Sequence, residues 1–345
     1  MEKKVLVTGG TGYIGSHTVV ELQKSGYTVI IVDDLSNSIQ KVVGLIHKIT
    51  GQIPIFEQFN LCDSDQLNLL FEKHSNICGV IHFAAHKAVG ESVGQPLKYY
   101  HNNLLSLINL LKCQAEHGVD KLVFSSSCTV YGQPDELPVS ESAPLKHATS
   151  PYGNTKKICE DIIRDTVGTI DIRAISLRYF NPVGAHKSGL IGELPLGTPQ
   201  NLVPFITQTA IGKQNVLKVF GDNYNTPDGT CIRDYIHVTD LAKAHVVAID
   251  RLIQQKNETP YEVFNLGTGN GHSVMEVIKA FEKTTGLDLA FEIAGRRTGD
   301  IEQVWADTSL ANLKLGWKAE LGLEEMMYSA WIWEKNLAAG IVNQS

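Results

Sequence analysis

Lys4-Val5-Leu6-Val7-Thr8, mostly apolar, runs straight into Gly9-Gly10-Thr11-Gly12-Tyr13-Ile14-Gly15, and an apolar-periodic segment follows to about Ser25. A short, continuous apolar run of this kind reads as a strand buried on both faces of a parallel sheet. Glycines at 9, 12 and 15 let the backbone turn tightly, admit a pyrophosphate and bring the next helix close to the strand. The helix N-terminus that starts at Tyr13 and Ile14 is a ready anion site. Thr28 to Val32 reads as the next strand, ending in Asp33-Asp34, 18 residues beyond Gly15. A carboxylate at that strand end accepts hydrogen bonds from an adenosine ribose and repels a 2′-phosphate. No arginine stands between Asp33 and Lys41, so the pattern predicts NAD over NADP. Glycines alone would be a weak signal; strand, three glycines, helix, strand and acid together predict dinucleotide binding.

The alternation continues along the chain. Strands are expected at 53–59, 79–85, 121–127 and 171–179, and helices at about 39–49, 63–74, 96–117 and 151–167. Repeated βα units imply an α/β fold, a doubly wound parallel sheet of the Rossmann type, with ligands beyond the carboxyl ends of its strands. Those ends read Gly9, Asp33, Asn60, Phe83-Ala84-Ala85, Ser125-Ser126-Ser127 and Tyr179-Phe180-Asn181. Three serines closing an apolar strand are poor core material: they cap the strand end or aim hydroxyls into the crevice. Beyond Asn181-Pro182 the chain turns rich in Gly, Pro and Asn, with one helix opening near Asn201-Leu202. Helical spacing returns at 238–255, and Glu262 to Leu266 reads as another strand of the main sheet. A helix, the basic loop Gly295-Arg296-Arg297-Thr298-Gly299-Asp300 and an amphipathic helix around Leu323 to Asn336 complete the chain. The division expected is a cofactor domain of 1–181 plus about 236–268, and a smaller C-terminal substrate-binding lobe of 182–235 and 269–345.

Composition narrows the function classes. A chain of 345 residues can bury an ample core, and 43% hydrophobic with 19% charged residues is an ordinary soluble composition. A net charge of −7 without any basic run argues against nucleic acid as a partner. No apolar stretch approaches the roughly 18 residues that span a bilayer. Met1-Glu2-Lys3-Lys4 leads directly into a strand, so no signal peptide is expected. The cysteines at 62, 78, 113, 128, 159 and 231 lack Cys-x-x-Cys spacing and read as buried, reduced thiols of a cytoplasmic protein. His82 and His86 flank a strand end and are not read as a metal site.

One helix carries a pair that suits proton transfer. Ser150 is a good N-cap and Pro151 fits the first helical position, which puts Tyr152 and Lys156 at i and i+4 on one face. A free tyrosine ionises near pH 10, and bringing it to neutrality takes roughly 4 kcal/mol. A fixed ammonium one turn away and a cationic cofactor are the expected sources, making Tyr152 a proton acceptor. By itself Tyr-x-x-x-Lys occurs by chance in any long helix.

Longer motifs add to this. Thr8-Gly9-Gly10-Thr11-Gly12-Tyr13-Ile14-Gly15-Ser16-His17, Lys87-Ala88-Val89-Gly90-Glu91-Ser92, Ser125-Ser126-Ser127-Cys128-Thr129-Val130-Tyr131-Gly132, Arg178-Tyr179-Phe180-Asn181-Pro182-Val183-Gly184-Ala185-His186 and Arg233-Asp234-Tyr235-Ile236-His237-Val238 resemble the UDP-glucose 4-epimerase family of extended short-chain dehydrogenase/reductases. The resemblance runs from residue 4 to about 335. It implies a tightly bound NAD, UDP-galactose and UDP-glucose as substrates, a role in galactose metabolism and a homodimer. It casts Tyr152 as the base for the sugar 4-OH, Lys156 as the residue that holds the nicotinamide ribose, and Ser127 as a hydroxyl on the same sugar oxygen. Implied cofactor contacts are Gly9, Gly12, Tyr13, Ile14, Gly15, Asp33, Asn37, Asn60, Leu61, Phe83, Ala84, Ala85, Lys87, Asn102 and Tyr179. Implied substrate contacts are Lys87, Asn181, Asn201, Leu202, Phe220, Arg233, Arg297, Asp300 and Val304.

Three positions depart from or vary within the family pattern. Asn60 replaces an aspartate near the adenine, Ala85 replaces a glycine, and Val304 stands where relatives differ in size beside the sugar. The modest size of Val304 predicts some tolerance for 2-acetamido sugars. Two other readings compete with this one. A 4,6-dehydratase or decarboxylase needs an acid and a base after the fifth strand, where this chain has Cys128 and Thr129. A non-catalytic NAD sensor would have little use for Ser127, Tyr152 and Lys156 together.

Overall fold

Apolar strands alternate with amphipathic helices through the first half of the chain, in a computed structural model that describes residues 3–297 and 300–343. Strand β1 (Lys4–Thr8) is followed by α1 (Tyr13–Lys24), β2 (Thr28–Asp33), α2 (Lys41–Thr50), β3 (Ile55–Gln58), α3 (Ser64–Lys73) and β4 (Ile77–His82). Then come α4 (Val89–Gly94), α5 (Pro96–Glu116), β5 (Lys121–Ser125), α6 (Pro151–Val167) and β6 (Arg173–Tyr179). The remainder holds β7 (Asn181–Val183), α7 (Leu202–Ala210), β8 (Leu217–Phe220), β9 (Ile232–His237), α8 (Val238–Ile253), β10 (Tyr261–Leu266), β11 (Gly271–Ser273), α9 (Val274–Thr285), β12 (Phe291–Ala294), β13 (Gln303–Val304) and α10 (Leu323–Ala338).

The main sheet has seven parallel strands in the order β3-β2-β1-β4-β5-β6-β10. Period-two alternation sends Val5, Val7, Ile31, Ile81, Val123 and Ile175 to one face, in a cluster with residues of α1 and α8. Leu6, Ile30, Val80, Leu122, Phe124 and Ala174 go to the other face, with residues of α3, α5 and α6. Each such side chain stabilises the sheet by about 1.5–3 kcal/mol on burial. The strand order reverses between β1 and β4, and a crevice opens at such a point beyond the carboxyl ends. A second sheet of β7, β9, β11 and β13 and the two-stranded pair β8–β12 stand beyond those ends, backed by α7, α9 and α10.

Several bounds moved for local reasons. The strand expected at 53–59 shrinks to Ile55–Gln58, because Pro54 has no N–H for the ladder. The strand expected at 79–85 ends at His82; beyond it the Phe83 N–H still donates to the Thr8 carbonyl at 3.0 Å, and Phe83-Ala84-Ala85 line the crevice. Helix α4 was not expected, since two of its six residues are glycines. The expected helix 151–167 forms with those bounds, capped by Ser150, whose hydroxyl accepts from the Gly153 N–H at 3.2 Å. Thr298 and Gly299 of the basic loop lie outside the described residues. Among the described residues no helix is long and apolar enough to cross a membrane. All six cysteines are free; Cys113, Cys159 and Cys231 are buried and the other three half-buried.

Candidate active site

The glycine turn is held so tightly that side chains are excluded. Gly9 has φ +69°, and a Cβ there would stand 2.8 Å from the Ala84 nitrogen. At Gly15 a Cβ would stand 2.2 Å from the Gly9 carbonyl oxygen, so α1 packs directly on the turn. Helix α1 has Gly12 at its N-cap and so no side-chain cap, which leaves its first N–H groups for an anion. Asp33 is pre-oriented: Oδ2 accepts from the Thr11 N–H at 3.1 Å, and Oδ1 from the Leu35 N–H at 3.0 Å and Ser38 Oγ at 3.1 Å. These bonds hold Leu35 at φ 60°, a left-handed conformation that costs a non-glycine residue about 1–2 kcal/mol. The local sequence carries no signal for that strain, because it depends on the Asp33 side chain. The Asn60 amide donates to Asp34 Oδ2 at 2.7 Å and accepts from the Cys62 N–H at 2.8 Å. An aspartate there would face the Asp34 carboxylate with like charge.

Tyr152, Lys156 and Ser127 come together at the end of β5. Lys156, only 4% exposed, donates from Nζ to the Ser125 carbonyl at 2.6 Å. Its ammonium stands 4.9 Å from the Phe124 ring centroid and 6.0 Å from that of Tyr152. Burial brings Lys156 down to about 8, against the pull of Cys159 and Glu160. Tyr152 is held in its neutral form. Its phenol is pushed well above its ordinary value, first by burial and then by Tyr179 and Cys128, with Ser127 acting the other way. The helical pair alone does not acidify the phenol, because Lys156 spends its bond on a backbone carbonyl and burial penalises phenolate.

The three serines divide their work. Ser125 Oγ bonds the Tyr179 hydroxyl at 2.6 Å, and Ser126 Oγ donates to Glu160 Oε1 at 2.5 Å. Ser127 caps the turn Cys128–Tyr131, accepting from the Thr129 N–H at 3.2 Å and Thr129 Oγ1 at 3.0 Å. Both readings of the triplet therefore hold, since Ser127 also lines the cleft.

One cleft of about 1770 Å³ runs from the glycine turn past Tyr152 to the second sheet. Gly9, Gly12, Tyr13, Ile14, Gly15, Asp33, Asn37, Asn60, Leu61, Phe83, Ala84, Ala85, Lys87, Asn102 and Tyr179 line it at the dinucleotide end. Asn181, Asn201, Leu202, Phe220, Arg233, Arg297 and Asp300 line the far end. There Arg297 stacks over the Phe220 ring at 4.8 Å and donates from Nε to Asp300 Oδ2 at 3.0 Å. Arg233 spends Nη1 on the Ile232 carbonyl at 2.8 Å. Val304 does not join the wall. It is 5% exposed and packs with Phe180, which does line the cleft. Glu193 is a cleft residue that sequence reasoning missed. Its Oε1 accepts from Asn201 Nδ2 at 2.7 Å and pairs with Lys87 at 3.4 Å, while its carbonyl accepts from Trp333 Nε1 at 2.8 Å. Gly192-Glu193 sits in a Gly- and Pro-rich stretch whose pattern gives no hint of the contact.

Comparison with known proteins sharpens the picture. A family model described as GDP-mannose 4,6 dehydratase matches residues 6–330. UDP-glucose 4-epimerase of Bacillus subtilis is 49% identical over 97% of this chain and 98% of its own length. The crystal structure of the Stenotrophomonas maltophila UDP-glucose 4-epimerase, with bound NAD and formylated UDP-arabinopyranose, superposes with TM-score 0.95 at 50% identity, covering 98% of this chain and 100% of that one. The Bifidobacterium longum enzyme in complex with NAD⁺ and UDP gives TM-score 0.93 at 47% identity over the same shares.

Proposed function

The chain belongs to the UDP-glucose 4-epimerase family, and we propose that it interconverts UDP-galactose and UDP-glucose through Tyr152, Lys156 and Ser127, with NAD held at the glycine turn. The observation that carries the reading is a single cleft with an anion-ready glycine turn at one end, two arginines at the other, and this trio between them. Bound NAD⁺ supplies the redox chemistry, taking hydride from C4 of the hexose and returning it to the opposite face of the 4-keto sugar.

The residues of the chain do the rest. Tyr152 accepts the 4-OH proton and later gives it back, a role worth on the order of 10²–10⁴ in rate. Ser127 shares the same sugar oxygen, and Lys156 holds the ribose side of the cofactor. Arg233 and Arg297 grip the diphosphate through charge-assisted bonds. A firm grip on the nucleotide end lets the sugar turn over without leaving, so binding energy from the remote end serves the reacting centre.

A dehydratase needs an acid–base pair where this chain has Cys128 and Thr129. Thr129 Oγ1 is bound to Ser127, and burial holds the Cys128 thiol up at about 12. Neither can serve. A coupled assay for UDP-glucose formed from UDP-galactose, without added NAD, tests the assignment: steady product is expected, and none would refute it. The same assay with UDP-N-acetylgalactosamine tests the hexosamines directly; Val304 gives no ground for expecting them, because it is buried and does not line the cleft, and no turnover would remove the hexosamines from the substrate range.

The setting we propose is the cytoplasm, in galactose metabolism, where six free cysteines stay reduced. A homodimer through α5 and α6 is supported by Leu105, Ile108 and Ile158, half-buried apolar side chains on those helices.

A further inference from the structure

Beneath the catalytic trio lies a buried ion pair that the reaction as described does not use. Glu160 is fully buried and Arg178 is 3% exposed. Glu160 accepts from Arg178 Nε at 2.9 Å on Oε1 and from Nη2 at 2.5 Å on Oε2. Arg178 Nη1 goes on to the Tyr131 hydroxyl at 2.9 Å, and Tyr131 donates to Asn265 Oδ1 at 2.7 Å. The chain of bonds thus ties α6 to β6 and β10. The second partner of Glu160 is Ser126 Oγ at 2.5 Å, the residue between Ser125, which holds Lys156, and Ser127, which faces the cleft.

Resting on the reading of Tyr152, Lys156 and Ser127 given above, we propose that Glu160 and Arg178 are positioning residues, which lock the catalytic helix to the ends of β5 and β6 and keep the Lys156 ammonium charged. Tyr152, Lys156 and Glu160 are spaced by four, so one face of α6 carries base, cation and anion in successive turns. Stability alone does not call for the pair, since apolar residues of equal volume often serve as well or better than a buried ion pair. Titratable groups face Lys156 from its own helix and from β4, and Arg178 of β6 stands behind Glu160. On its own helix stand Tyr152, neutral, and Cys159, whose thiol burial holds up at about 12. On β4 stands His82, neutral because burial and Lys156 bring it down to about 3. On β5 it meets the Ser125 carbonyl and the Phe124 ring, and on β6 Arg178 is bound to Glu160. Glu160 is the anion of this group.

The test is Glu160→Gln, which keeps the shape and an acceptor for Ser126. With the charge gone, Lys156 loses its proton at lower pH. The alkaline limb of the pH–kcat profile should move about one unit toward acid. The tyrosinate absorbance of Tyr152, read against a Tyr152→Phe background in the NAD-loaded protein, should move toward alkali. UDP affinity should stay within twofold of wild type. A folded variant whose limb and tyrosinate titration match wild type would overturn the proposal. If Glu160→Gln strands Arg178 and fails to fold, Glu160→Met with Arg178→Met removes both charges. That protein should unfold at or above the wild-type Tm and still show both shifts; wild-type profiles in it would overturn the proposal. Absence of epimerase activity in the wild-type protein would overturn the underlying assignment as well, whereas an active wild type with unshifted variants overturns this inference alone.

Discussion

A phenol 9% exposed and an ammonium 4% exposed are each costly to charge, and the site sets these two costs against each other. Tyr152 in this environment holds its proton, so the acidity needed for catalysis must come from bound cofactor and substrate, not from the helix alone. Tyr152→Phe should lose 10²–10⁴ in kcat with an unchanged Tm; steady-state kinetics within fivefold of wild type would rule out the role. Lys156 makes the complementary prediction. Its value falls to about 8 in the fold, so the unfolded chain binds more protons above that pH, and stability rises with pH between about 8 and the ordinary lysine range. Below that window the buried ammonium costs roughly 3 kcal/mol, partly offset by its bond to Ser125 at about 1 kcal/mol. Lys156→Met should therefore unfold a few degrees higher at pH 7 while losing activity, as calorimetry and the coupled assay would show.

At the scale of elements, what could be read from the chain is what depends on neighbours in sequence. Ser150-Pro151 set the start of α6, and the glycines at 9, 12 and 15 set the turn, because cap and turn chemistry is local. Gly15→Ala puts a Cβ 2.2 Å from a backbone oxygen, and overpacking of about 1–3 kcal/mol follows. Thermal unfolding should drop by roughly 5 °C and the protein should purify without nucleotide; retention of both would contradict the fit of NAD to this turn. What stayed hidden depends on depth or on distant partners. Glu160 and Arg178 are 18 residues apart, Glu193 meets Lys87 across 106, and neither pairing leaves a periodic trace. Val304 shows the same limit: the sequence places it beside the sugar by resemblance, whereas tertiary packing buries it in a cluster with Phe180 and off the cleft wall. The burial of the Tyr152 phenol is hidden for the same reason, since a helical spacing does not report depth.

For the whole molecule, the sheet supplies a rigid floor and the second sheet a far wall, with the reacting centre held at their junction. Helices α5 and α6 pair against that floor, and the homodimer proposed above would be built on their half-buried Leu105, Ile108 and Ile158. Light scattering after size exclusion should give twice 37.9 kDa, and Ile108→Glu should halve it; a wild-type monomer would contradict the dimer. The central claim is that hydride leaves C4 and returns to it within one cleft. UDP-galactose carrying deuterium at C4 tests this directly. The account predicts UDP-glucose with the deuterium retained at C4, formed in water without added NAD. Product that has exchanged that deuterium for solvent hydrogen would contradict it.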